Sequence, residues 1–379
     1  KVPYPLVLQN ATYIFPMDSK FYTGKTDDGK DKAEIVKAAN TFAATHVSGT
    51  GPYKLVAREQ GVKLELARNP DYWDKASGSN VDNLKIVPIK EDATRVAALL
   101  SGDVDMIGPV APNDQDRVKK AANVKFVTET SDRIVLFELN QKTQPAFKDK
   151  RVRQAVNMAV NQPGIVEKIM KGFATPAGQL SPDGYMGHVA DLKPNFDLNK
   201  AKELMKEAGF EKGFKVTMIS TNNRYINDAK IAQAVGAMLS KINIKVELKT
   251  MPKAQYWPEF DKCASDMLLI GWQSDTVDSG NYFEYLVQTR DDKSGKGQYN
   301  CGGYSNAEVD KLIAQSNAEV DPAKRSAQLQ QIEKILADDA AFLPIQWQKL
   351  AWAGKSKVNV EQIVNGRDLP VYGNLKVSE

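Results

Sequence analysis

Histidine and cysteine are scarce in this 379-residue sequence, with two of each: His46 and His188, Cys263 and Cys301. Their spacing offers no set of nitrogen and sulfur ligands for zinc, which takes three or four. So few cysteines fit an oxidising compartment as well as a reducing one. The pair leaves one disulfide open, which sequence cannot decide because it does not place the Cα atoms. Compact catalytic signatures are also missing: there is no HExxH, no GxSxG and no CxxC. Gly49-Thr50-Gly51 lacks the third glycine of a dinucleotide fingerprint. Gly24 to Lys30 has phosphate-loop spacing, but Asp31 stands where Ser or Thr is needed, and no apolar strand precedes it. That stretch reads as a polar surface loop. No run of about 18 apolar residues is present to cross a membrane. The start, Lys1-Val2-Pro3-Tyr4, has no apolar signal core, which a mature secreted protein would lack as well. Lys and Arg total 51 against 47 Asp and Glu, with no dense basic block, so nucleic acid is not an expected partner. Carboxylates are plentiful, but no pattern singles out an acid–base pair.

What is present is a globular composition, 42% hydrophobic and 26% charged. The length predicts two or three domains, because single cores stop growing near about 250–300 residues. Strand and helix patterns alternate. Val62, Leu64 and Leu66 alternate with polar residues, and Leu84 to Ile89 is a short apolar run. Val96, Leu99 and Leu100 mark a helix stopped by Gly102. Val104–Ile107, Val124–Val127 and Ile134–Leu139 read as strands. From residue 147 the pattern continues with a helix through Val152, Val156 and Val160, then another from Asp197 to Ala208 ended by Gly209. The strand Phe214–Ile219, a helical stripe from Ile231 to Ile242 and the alternating Ile244, Val246 and Leu248 follow. Met267–Trp272 is continuously apolar, as in a strand buried on both faces. This β–α–β order predicts parallel strands with helical crossovers. Ser305 with Glu308 forms an expected capping box, and Asp321-Pro322 opens a last helix. Phe342–Trp347 is the final strand pattern. Residues 1–47 are too few and too polar for a core of their own.

Four segments, in order, carry a resemblance. They are Gly49-Thr50-Gly51-Pro52-Tyr53 with Asn69-Pro70-Asp71-Tyr72-Trp73; Phe147 to Val156 with Met158-Ala159-Val160-Asn161; Gly271-Trp272-Gln273-Ser274-Asp275 through Phe283; and Gly303-Tyr304-Ser305-Asn306 with Val309-Asp310. Together they resemble bacterial extracellular solute-binding proteins of family 5, the substrate-binding components of peptide, dipeptide and nickel ABC importers. The resemblance runs from about residue 48 to the end. It implies an α/β, two-lobed periplasmic-binding-protein fold (type II, the large peptide-binding class) joined by two hinge crossings, near Phe137–Gln141 and Ile345–Lys349. Residues 48–138 with 350–379 would form lobe I and 139–349 lobe II. Residues 1–47 would be the remnant of an extra N-terminal subdomain, so the chain looks like a fragment lacking part of the lobe I side of the site.

The resemblance further implies a monomeric, periplasmic or lipid-anchored receptor that is not an enzyme and needs no cofactor. It would close its lobes over a di- or oligopeptide and pass it to membrane permease subunits. Asp275 matches the aspartate that pairs with a ligand ammonium, and it follows the buried run at a strand's C-terminal edge. On its residues alone, Asp275 reads equally well as a turn residue. Gly271, Trp272, Gln273 and Ser274 match the segment whose backbone pairs with an extended peptide. Trp272 reads equally as core, and Gly271 as a strand breaker. Asp278 joins the ligand-binding set or shapes its loop. Arg224 lies near the position of a carboxylate-binding arginine, a role suited to a guanidinium and open beside that of a surface arginine. Fold does not fix ligand, so a nickel chelate, opine, haem, glutathione or sugar stays open, as do a peptide chaperone and a hydrolase.

Overall fold

The computed structural model describes residues 5–7, 11, 17–36, 41–75, 78–274 and 276–379. The chain divides into two compact units, one of Thr12–Glu129 with Leu350–Glu379 and one of Lys1–Ala11 with Thr130–Lys349. It passes between them inside two strands, Val124–Leu139 and Phe342–Lys355. The first passage falls ahead of Phe137–Gln141. Residues Ile134 to Phe137 are fully buried in the larger unit, whereas the polar run Thr128–Asp132 precedes them.

In the smaller unit, β1 (Tyr53–Glu59), β2 (Lys63–Arg68) and β3 (Asn83–Ile86) form an antiparallel meander. Gly61 turns β1 into β2 at φ +77°, where a side chain would be strained. Helix α1 (Asp92–Ser101) ends at Gly102, which adopts the left-handed conformation expected of it. The stretch Val104–Ile107 yields only a two-residue strand, β4 (Met106–Ile107), pairing with Ala353 and Gly354. Two small cores result from strand alternation. Ala351 and Ala353 pack with Val96, Leu99 and Val118, while Leu350 and Trp352 pack with Val358, Val360 and Ile363. Residues 18–36 and 41–48 make local contacts: Asp18 caps Ser19–Tyr22, the Tyr22 hydroxyl donates to the His46 carbonyl at 3.2 Å, and Phe42 stacks on His46. Gly24–Lys30 is exposed, and its polar groups bond within the loop, with Lys25 paired to Asp31 at 2.7 Å.

The larger unit is built on a sheet. β5 (Val124–Leu139), β9 (Met267–Trp272), β7 (Lys215–Thr221) and β8 (Lys245–Met251) are neighbours in that order, and β10 (Phe342–Lys355) adjoins β5 and pairs with β6 (Ala174–Pro176). The two runs Val124–Val127 and Ile134–Leu139 are thus one strand. β7 is parallel to β8 and β9, and β9 is antiparallel to β5. Helices α2 (Lys150–Ala159), α3 (Gln162–Lys168), α4 (Leu198–Glu207) and α5 (Asp228–Leu239) pack on one side, around Val135, Phe137, Met218 and Leu269. Helices α6 (Lys253–Phe260), α7 (Ala307–Ala318) and α8 (Pro322–Asp339) pack on the other, around Ile134, Leu136, Leu268 and Ile270. Alternate residues of the buried half of β5 and of β9 supply the two cores, which is why Met267–Trp272 reads as an unbroken apolar run. The expected capping box does not form. Asn306 caps α7, accepting from the amides of Glu308 and Val309, and the Ser305 hydroxyl bonds Thr289 instead. Asp321 caps α8 ahead of Pro322 as expected. Cys263 and Cys301 are joined in a disulfide, with Cα atoms 4.9 Å apart.

Candidate ligand-binding site

The parallel strands β7, β8 and β9 end at Thr221, Met251 and Trp272. Open α/β sheets place ligands outside such C-terminal ends. Two loops rise there, 222–227 and 273–279.

Asp228, at the start of α5 and 2% exposed, organises the first loop. Its Oδ2 accepts from the Thr221 hydroxyl at 2.6 Å and from the amides of Arg224 and Tyr225 at 3.0 and 3.1 Å, while Oδ1 accepts from the Ala229 amide at 2.9 Å. A carboxylate suits this place because a helix N-terminus carries partial positive charge. The gathered loop turns Tyr225 inward. Its hydroxyl accepts from the Gly271 amide at 2.8 Å and donates to the Gly271 carbonyl at 3.3 Å. Burial pushes the Tyr225 pKa up, against the pull of Arg224 and Arg133. Arg224 stays half-buried, with its guanidinium 5.0 Å from the Tyr225 ring centre. It forms no ion pair with another described residue.

The second loop places the remaining expected residues differently from one another. Gly271 is buried. The close approach it permits is taken by Tyr225, whose ring carbon would lie 2.5 Å from a Cβ. Trp272 is half-buried, donates from Nε1 to Asn281 at 2.7 Å, and rests against the rings of Tyr285 and Tyr299. The Gln273 side chain accepts from the Arg133 guanidinium. Ser274 is fully buried. Its hydroxyl bonds Thr276 and its carbonyl accepts from Tyr185 at 2.8 Å. Asp278 is tied up inside the unit. Its carboxylate pairs with Arg325 and accepts the Gly280 amide at 2% exposure, so it shapes the loop from inside. Asp275 lies outside the described residues. The structure therefore gathers Arg224, Gly271, Trp272 and Gln273 at one sheet edge and turns Ser274 and Asp278 into the interior.

Tyr225, Asp228, Arg133 and Arg325 were not singled out by sequence. For Asp228 a signal existed, an acidic residue between a strand ending in Thr221 and an apolar helical stripe. Nothing local marks Arg325 as the partner of a residue 47 positions away. Among the described residues no group of His, Cys, Asp and Glu is placed to hold a metal, and no helix is long and apolar enough to cross a membrane.

The model of a family described as bacterial extracellular solute-binding proteins, family 5 Middle, matches residues 1–294. The glutathione-binding protein GsiB of Shigella flexneri serotype 5b is 27% identical over 315 residues, which is 81% of this chain and 60% of that protein. The chain thus spans about 60% of the length of such curated relatives. Among solved structures, the periplasmic binding protein DppA of Helicobacter pylori, in complex with the peptide STSA, superposes with a TM-score of 0.77 at 26% identity, covering 87% of this chain and 63% of that one. The ABC transporter substrate-binding protein CtaP of Listeria monocytogenes superposes with a TM-score of 0.82 at 22% identity, covering 100% and 75%. The fold is the two-lobed α/β fold of the peptide-binding class of periplasmic binding proteins, and these relatives are binding proteins rather than enzymes.

Proposed function

The chain belongs to family 5 of the bacterial extracellular solute-binding proteins, and from that premise we propose that the full-length protein is the substrate-binding component of an ABC importer. It captures a di- or oligopeptide-like solute outside the cytoplasmic membrane, in the periplasm or on a lipid anchor, and delivers it unchanged to a permease. The observation that carries this reading is Arg224, a guanidinium held at the C-terminal edge of the sheet and paired with no described carboxylate. A planar fork of donors suits the carboxylate end of a peptide. Asp275, on the neighbouring loop, takes the ligand ammonium. Trp272 and Gln273 complete the lining, and the two compact units are the two lobes. The protein works as a monomer.

The names of the relatives make glutathione, itself a tripeptide with free carboxylates, a necessary member of any ligand panel. Calorimetry on the full-length protein with a dipeptide, its C-terminal amide and glutathione tests the reading. The free acid is expected to bind at least about tenfold more tightly than the amide, and Arg224→Met is expected to erase that difference. Equal affinity for acid and amide in the unaltered protein removes Arg224 from the site. Mass spectrometry of the recovered ligand separates receptor from hydrolase, since cleaved peptide contradicts simple capture.

A further inference from the structure

We propose that Glu333 is a pH-sensitive latch on the loop after β9: with its proton it heads an unbroken chain of hydrogen bonds that fixes the loop, and without it the chain breaks and the loop loosens. Glu333 lies on α8 and is 1% exposed. Its Oε1 accepts from the Ser181 amide at 2.8 Å and its Oε2 from the Leu180 amide at 3.3 Å. The Ser181 hydroxyl meets Oε1 on one side and the Ser279 hydroxyl, at 2.6 Å, on the other. The Ser279 hydroxyl donates onward to the Met186 carbonyl at 2.6 Å. Both serines are fully buried. Backbone bonds fasten the same place: the Met186 amide donates to the Val277 carbonyl at 3.2 Å, and the Ser279 amide to the Met186 carbonyl at 3.1 Å.

Three oxygen–oxygen contacts thus lead from Glu333 through Ser181 and Ser279 to Met186, and each needs one proton. The two hydroxyls supply two and the carbonyl none, so the third is the carboxyl proton. With it, every contact in the chain is a hydrogen bond. Without it, one contact is left with lone pairs facing each other out of reach of water, which is unfavourable in a buried place. Burial pushes the Glu333 pKa up to about 7, against the pull of the Ser181 hydroxyl and amide and of the Leu180 amide. The chain therefore breaks as pH rises through neutrality. Of the charged and titratable groups in the packing elements, His188 meets the Ser181 carbonyl at 2.9 Å and has Asp183 at 4.0 Å. Arg325 on α8 pairs with Asp278, and Lys150 of α2 pairs with Asp338. Asp191, Lys193 and Lys334 stand around the cavity beside α8. Arg325 stays charged throughout, so α8 holds the loop at Asp278 while the grip on Ser279 alone responds to pH.

This ordering needs no ligand, so its test is independent of peptide binding. Amide hydrogen exchange of the full-length protein, corrected for the unstructured rate, is compared at about pH 6 and about pH 8. The amides of Met186 and Ser279 are expected to lose about fivefold in protection at the higher pH. Glu333→Gln, whose side-chain amide donates to Ser181 at any pH, is expected to keep the protection at both. Ser279→Ala cuts the chain between the carboxyl and the loop, and is expected to give lower protection that no longer changes with pH. Equal protection at the two pH values in the parent overturns the proposal. So does a pH-dependent loss that survives in Glu333→Gln, which would assign it to His188, or one that survives in Ser279→Ala, which would mean that the chain does not carry it.

Discussion

Asp278 and Arg325 meet in a two-point ion pair, Nε to Oδ2 at 2.9 Å and Nη2 to Oδ1 at 2.8 Å, with each residue 2% exposed. The pair ties the loop after β9 to α8, and Arg325 also reaches the Ser316 carbonyl at the end of α7. Removing one partner strands a charge where water cannot reach it. Asp278→Ala is therefore expected to cost about 3–5 kcal/mol in urea unfolding. Adding Arg325→Met to it is expected to recover a large part of that loss, because the second change removes the stranded guanidinium. A single variant as stable as the parent would contradict the burial of the pair.

The Tyr225–Gly271 contact sets a second expectation. A methyl at Gly271 would press on the Tyr225 ring, which is itself held by the Asp228 loop. Gly271→Ala is expected to destabilise by about 1–3 kcal/mol, the usual range for overpacking. It should also displace Arg224 and weaken capture of carboxylate-bearing ligands. Tyr225→Leu in the same chain should relieve the crowding. A Gly271→Ala variant as stable as the parent would show that the Tyr225 ring yields at no cost, and a loss that Tyr225→Leu does not relieve would show that the crowding has another source.

These two contacts also mark how far the sequence could be read. The order of elements in the larger unit was legible because each β–α–β step has its own periodicity, from Phe214 through Leu248 to Trp272. The buried strand Met267–Trp272 was legible for the same reason, and it led to the loop that follows it at the C-terminal edge of the sheet. Which residues of that loop face outward was not legible. Ser274 and Asp278 look like ligand groups by type, but their partners, Thr276 and Tyr185 for one and Arg325 for the other, come from close neighbours and from distant helices alike. A pairing across 47 positions has no local pattern. Asn306 displaced Ser305 as the helix cap because the Ser305 hydroxyl is drawn to Thr289, again a tertiary contact.

The disulfide closes a loop between residues 38 apart in sequence. In the chain-entropy account its main effect is to restrict the unfolded chain, by about 4 kcal/mol for a loop of that length. The loop it closes includes β9 and the candidate site edge. Replacing both Cys263 and Cys301 by Ser is expected to lower stability by about 2–4 kcal/mol in urea unfolding without altering the fold. Unchanged stability after replacement, or after reduction of the native protein, would argue that the bond is not formed in solution.

Two buried carboxyls should make stability fall as pH rises. Burial pushes the pKa of Glu138 up to about 8 and that of Glu333 up to about 7, from an ordinary 4.5. Amide donors oppose the shift in each case, from Gly302 for Glu138 and from Ser181 for Glu333, without cancelling it. The native state keeps these protons to a higher pH than the unfolded chain does, so unfolding releases them. The stability they confer is complete below about 4.5 and is lost as pH climbs through about 7 and then about 8. The slope approaches about 1.4 kcal/mol per pH unit for each group. Urea midpoints measured from about pH 5 to about pH 8 are therefore expected to decline. Glu138→Gln keeps the shape of the side chain and an acceptor for the Gly302 amide, and it removes the titration. It is expected to make the whole decline shallower and to remove the part above about 7, while Glu333→Gln makes only the part below about 7 shallower. A parent profile that rises toward pH 8, or one that neither substitution alters, would mean that both carboxyls are ionised in the native protein.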